Sequence, residues 1–78
     1  MITAEVAVYP LKTGNATGVI NESISALKGN NVNYDVNSMN TKITGNKEEI
    51  FKSLEAMFSK AENNGGEINM VVTISNAT

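Results

Sequence analysis

The chain has no cysteine, no histidine, no arginine, no tryptophan and a single proline. Without thiolate or imidazole, zinc fingers, haem ligation, Cys/His proteases and Ser-His-Asp triads are excluded together. Any catalysis would fall to Glu, Asp, Lys, Tyr, Ser or Thr. The six cations are all lysine and stand against eight acids, for a net charge of −2. A nucleic-acid or anionic-membrane surface wants a basic patch, usually with arginine, so neither partner is expected. No apolar run is long enough to span a bilayer. Met1-Ile2-Thr3-Ala4-Glu5 lacks the basic and apolar regions of a signal peptide, so the cytosol is the expected compartment. The Asn-x-Ser/Thr triplets at Asn15, Asn21 and Asn76 are then chance matches in an Asn-rich chain.

What is present is ordinary for a folded protein: 41% hydrophobic residues in 78, with 18% charged. Residues 1–78 read as one domain, small enough to bury only a little over about 60% of its unfolded surface. Ile2, Ala4, Val6 and Val8 alternate with Thr3, Glu5, Ala7 and Tyr9. That period of two predicts a strand, stopped by Pro10. Lys12-Thr13-Gly14 makes a turn and Asn15 is placed to cap a helix. Val19, Ile20, Ile24 and Leu27 recur at helical spacing, and Gly29 is placed to end that helix. Val32, Tyr34 and Val36 predict a second strand. A turn at Ser38 leads into a third over Met39–Thr44, ending at Gly45. Asn46 then caps a second helix, with Glu49 completing a pattern like a capping box. Ile50, Phe51, Leu54, Met57, Phe58 and Ala61 give it a broad apolar stripe, and Asn63-Asn64-Gly65-Gly66 stops it. Ile68, Met70, Val72 and Ile74 alternate as the last strand.

The order β-α-β-β-α-β, with right-handed crossovers, predicts an α+β, ferredoxin-like fold. Both helices would lie on one face of a four-stranded antiparallel sheet. Ile2, Val6, Val8, Tyr34, Val36, Ile43, Met70, Val72 and Ile74 would face the helices. Glu5, Ala7, Tyr9, Asn33, Asp35, Lys42, Thr44, Val71 and Thr73 would form an open face, mixed rather than strongly charged. Such a face suits a subunit interface, and a small domain gains most from self-association.

Most motif-like fragments have plain explanations. Ser25-x-x-Lys28, Ser38-x-Asn40 and Lys12-Thr13-Gly14 imitate an acyl-serine enzyme, but in the wrong order and in too short a chain. Gly14-Asn-Ala-Thr-Gly18 lacks the Gly-Lys-Ser/Thr of a phosphate loop and reads as a turn opening a helix. Glu48-Glu49 belongs to a first helical turn, where acids offset the helix dipole. No carboxylate cluster suggests a metal. Glu5 stands apart, as an isolated acid inside an apolar strand. It must be exposed, paired with a residue such as Lys42, or bonded to a ligand. Asn40, Thr41, Thr73 and Asn76 are small hydrogen-bonding residues at strand ends, either turn formers or ligand contacts.

Glu5-Val-Ala-Val-Tyr-Pro10, Thr13-Gly14, Tyr34, Met39-Asn40-Thr41-Lys-Ile-Thr-Gly45 and Val72-Thr-Ile-Ser-Asn76, taken in order, resemble the YkoF-like thiamine-binding family. The resemblance runs over essentially the whole length. It departs from the family pattern at Lys12-Thr13-Gly14, where Gly-Thr-Gly is common, and in the second helix, which has no His. The resemblance implies a cytoplasmic, non-catalytic domain binding thiamine or its hydroxymethylpyrimidine moiety, in vitamin salvage or transport, with no further cofactor. It also implies homodimers or homotetramers formed through sheets. On that footing Glu5 or Asn40 would take the pyrimidine edge, with Thr41, Thr73 and Asn76 as secondary partners. Tyr34 or Phe58 would stack, and Met39 and Met70 would fill the wall. An interaction module that recruits a protein through its open face and binds no small ligand is the alternative. A phosphate-handling enzyme of the same fold would want an arginine, which the chain lacks.

Overall fold

Each stretch of two-fold alternation forms a strand and each apolar stripe a helix. The computed structural model describes residues 1–77. Its elements are β1 (Ile2–Pro10), α1 (Ala16–Ser25), β2 (Asn33–Val36), β3 (Thr41–Gly45), α2 (Lys47–Gly65) and β4 (Ile68–Ser75). The strands form one four-stranded sheet in the order β2-β3-β1-β4, with all neighbours antiparallel. This is the ferredoxin-like α+β arrangement. Ala4, Val6, Val8 and Ile43 from the sheet meet Val19 and Leu27 from the first helical segment and Ile50, Leu54, Met57 and Ala61 from α2. Each large aliphatic among them contributes about 1.5–3 kcal/mol by leaving water.

Asn15 caps α1, its side-chain oxygen accepting the Gly18 N–H at 3.2 Å. A β-carbon on residue 18 would lie only 2.8 Å from Asn15 Cγ, so glycine there is what lets the cap close. α1 is shorter than its periodicity predicts. After Ser25 the chain tightens into bonds from Ala26, Leu27 and Lys28 N–H to the carbonyls three residues back. Leu27 stays buried, and Gly29 turns the chain at φ +88°. In α2 the Asn46 side chain accepts the Glu49 N–H at 3.0 Å. The capping box is only half formed, because the Glu49 carboxylate accepts the Asn31 N–H at 3.3 Å instead of reaching back to Asn46. That bond ties α2 to the approach to β2.

Two expectations need correction. β3 begins at Thr41, not Met39, because Met39 and Asn40 N–H are taken by the Asn37 side chain in a turn. Tyr34, Val36 and Ile74 have the register of helix-facing residues but are exposed. β2 and β4 are the sheet's edges, and neither helix packs substantially on β2; α1 lies against β1 and α2. Lys42, opposite Glu5 in register, makes no ion pair with it; the pairs among the described residues are Lys12–Glu67 and Lys60–Glu22.

Candidate functional site

β1 outruns its partner on one side. Its pairing with β3 ends at Val6↔Thr41, while its pairing with β4 continues to Pro10↔Ile68. Ala7–Pro10 therefore has no β3 neighbour, and that side of the main chain faces a cleft of about 210 Å³. α1 forms one wall through Ile20, Ser23 and Ile24. The end of β2 and the turn into β3, Val36 to Thr41, form the other. The lining is mostly apolar, as expected of a small-molecule site with a few placed polar groups.

The Ser23 hydroxyl is not among those available groups, since it donates to the Ile20 carbonyl at 2.7 Å. What remains is the open main-chain side of β1 and the turn. Asn37 N–H donates to the Asn40 carbonyl at 3.0 Å, and Asn37 Oδ1 accepts the Met39 and Asn40 N–H groups at 2.8 and 2.9 Å. Asn40 Nδ2 donates to Glu5 Oε2 at 3.4 Å, a long bond. Glu5 lies on the open face and reaches the cleft rim only through this amide. Among the lining residues Tyr9 is the one aromatic group and the one ionisable group.

The residues singled out in the sequence divide accordingly. Met39, Asn40 and Thr41 line the cleft; Thr41 is buried in its floor and Met39 is 80% exposed on its rim. Glu5 adjoins it. Tyr34 sits on edge strand β2 opposite Ile43, outside the lining. Phe58 is half-buried on α2, and Met70 pairs with Val8 on the β4 side of β1. Thr73 pairs with Glu5 on the open face, and Asn76 follows β4, exposed. The structure does not bring these five to the cleft. It brings Tyr9, Ile20, Ile24, Val36 and Asn37 there instead. The short polar stretch Asn37-Ser38 carried a signal for this turn, since Asn side chains habitually bond main-chain N–H groups two residues on. Nothing in the alternation of β1 says that β3 stops early.

Among the described residues no group of three His, Cys, Asp or Glu side chains is placed to hold a metal ion, and no helix is long and apolar enough to cross a membrane.

The sequence profile described as the YKOF-related family matches residues 1–78. No curated protein matches the chain. Solved structures match over nearly its full length. A protein of Streptococcus pneumoniae superposes with a TM-score of 0.91 at 22% identity, covering 99% of this chain and 87% of that one. A hypothetical protein of Methanocaldococcus jannascii gives 0.88 at 23% identity, covering 99% and 80%. A protein of Thermotoga maritima, proposed to act in thiamine biosynthesis or salvage, gives 0.84 at 22% identity, covering 97% and 83%. At these identities the likeness shows the shared fold.

Proposed function

The chain belongs to the YKOF-related family, and from that premise we propose that it is a non-catalytic binding protein for the hydroxymethylpyrimidine moiety of thiamine, free or within the vitamin, serving salvage or transport. The observation that carries this reading is the cleft beside β1: apolar walls, one aromatic ring, and an amide backed by a carboxylate on the rim. A 4-aminopyrimidine presents a donor beside a ring-nitrogen acceptor. The Asn40 amide offers the complementary acceptor and donor, as asparagine does to adenine. Tyr9 can stack on the ring, and Met39 can close over it.

Size narrows the ligand. Pockets for drug-sized molecules run to roughly 300–1,000 Å³. At about 210 Å³ this cleft suits a single ring. Intact thiamine would seat its pyrimidine and leave the cationic thiazolium in solvent, where no basic residue is needed. Support from outside the chain is the thiamine assignment proposed for the Thermotoga structure of the same fold.

The test is thermal unfolding with thiamine, thiamine phosphate and hydroxymethylpyrimidine. Ligand at 100 times its dissociation constant stabilises by about 2.7 kcal/mol. In a domain this small that is a rise on the order of 10–20 °C. No rise with any of the three overturns the reading. The rival, an interaction module, rests on the open face, where Tyr9 and Val71 are more than half exposed. Self-association of the binding protein through that same face is part of our reading, and sedimentation should find a dimer or larger. A monomer that no pyrimidine stabilises would favour the module.

A further inference from the structure

The direction of the Asn40 amide is not free. Asn37 Oδ1 accepts two main-chain N–H groups, from Met39 at 2.8 Å and Asn40 at 2.9 Å. Both donors are fixed by the chain, so the Asn37 amide has one orientation, with its NH2 pointing away from them. That NH2 donates to Asn40 Oδ1 at 3.3 Å. The oxygen of Asn40 must therefore face Asn37, which leaves its own NH2 toward Glu5 Oε2, at 3.4 Å. Polarity passes from the main chain through Asn37 to Asn40 and on to the carboxylate. The carboxylate only accepts, which holds the far end of the chain the same way round.

We infer that Asn37 is a positioning residue that sets the donor–acceptor order on the cleft rim, and through it the preference for a 4-amino over a 4-oxo pyrimidine. An asparagine amide free to rotate by half a turn can pair with either ring, because the two present opposite orders of donor and acceptor. An amide held one way round pairs with one of them in a given pose. The inference deepens the proposed function and rests on it for the identity of the ligand, but the amide's orientation is a property of the unliganded protein.

Asn37→Asp separates the two. The aspartate keeps an oxygen for the Met39 and Asn40 N–H groups, so the turn and the melting temperature are retained. Its second oxygen replaces the NH2 and meets Asn40 Oδ1, two acceptors in contact, while Glu5 still accepts from the Asn40 NH2, so the Asn40 amide loses its single orientation and divides between the two. Proton–proton contacts from the Asn40 side-chain NH2 to the methylene groups of residue 5, read by NMR without ligand, should be present in the parent, weakened in N37D and lost when Glu5→Gln is added. The affinity ratio between 4-aminopyrimidine and 4-oxopyrimidine forms of the hydroxymethyl compound should fall by about tenfold or more, within the discrimination that one bidentate pair supplies. Glu5→Gln in the same assay restores an amide at the far end, able to donate to a reversed Asn40. Combined with N37D, it should turn the Asn40 amide over and lower the ratio further. If N37D keeps both the NMR contacts and the ratio, the inference is overturned. If the contacts weaken and the ratio is unchanged, Asn37 orients the amide without governing selectivity, and the selectivity claim falls. If the parent binds neither pyrimidine, the proposed function fails and takes the selectivity with it, while the NMR result still decides the amide's orientation.

Discussion

The two β-α-β halves of the chain are built on one plan and to different strengths. The second has a 19-residue α2 with five buried side chains and an eight-residue β4. The first has a ten-residue α1 with two buried side chains and a four-residue β2 exposed along its length. α2 lies across three strands, whereas α1 leans on β1 and α2 and leaves β2 bare. The cleft opens in the thin half, between α1 and the turn after β2. A small domain cannot bury everything. Here the strong half supplies the stability, and the weak half can leave apolar surface and main-chain groups free for recognition.

That division can be broken at its strong side first. Met57→Ala removes a fully buried α2 side chain and should cost about 2–5 kcal/mol, a large share of a small domain's total. Chemical denaturation measures it, and a loss below about 1 kcal/mol would mean that α2 is not the anchor. On the weak side, Tyr9→Ala should lower the denaturation midpoint far less than Met57→Ala does, since the ring is about half exposed. It should weaken pyrimidine binding by about 1–3 kcal/mol, the usual worth of stacking one base on an aromatic ring. Calorimetry would show unchanged affinity if Tyr34 or Phe58 were the stacking partner. Glu5→Gln should weaken binding about tenfold through loss of the charged acceptor behind Asn40, at nearly constant stability. The smallest effect sharpens the comparison: Asn15→Ala and Asn46→Ala each delete a helix cap worth about 1 kcal/mol. Hydrogen exchange should place the loss at Asn15 in α1 alone, whereas the loss at Asn46 should spread across the sheet.

Most of this fold was legible because its signals are local. Alternation in β1 and β4, the α2 stripe, and Asn15 and Asn46 as caps all act within a few residues of themselves. The misreadings share a different cause. Tyr34, Val36 and Ile74 alternate as core residues do, yet whether a helix covers them depends on strand order and helix length, which no local pattern carries. Met39 and Asn40 looked like the start of β3, and the Asn37 side chain took their N–H groups first. For the site, the sequence singled out the stretch Met39-Asn40-Thr41 and the isolated Glu5, which the fold brings together. Tyr34, Phe58, Met70, Thr73 and Asn76 were chosen by residue type, and the topology distributes them over β2, α2 and β4. Tyr9 lies on the open face, as its alternation says, and it also borders the cleft because β1 runs on past β3.

The overhang of β1 bears on how such a cleft can persist while sequences diverge. Part of its wall is peptide groups, and a peptide group is the same whichever side chain it carries. Structures of this fold share only 22–23% of their residues with this chain in the matches above. Substitution at Ala7 or Val8 would change the lining's shape but leave its main-chain donors and acceptors in place. Only a proline, which has no N–H, or a longer β3 that paired with the overhang, would erase them. A recognition surface of that kind would leave no signature in a comparison of side chains; it would be set by the point where a ladder stops.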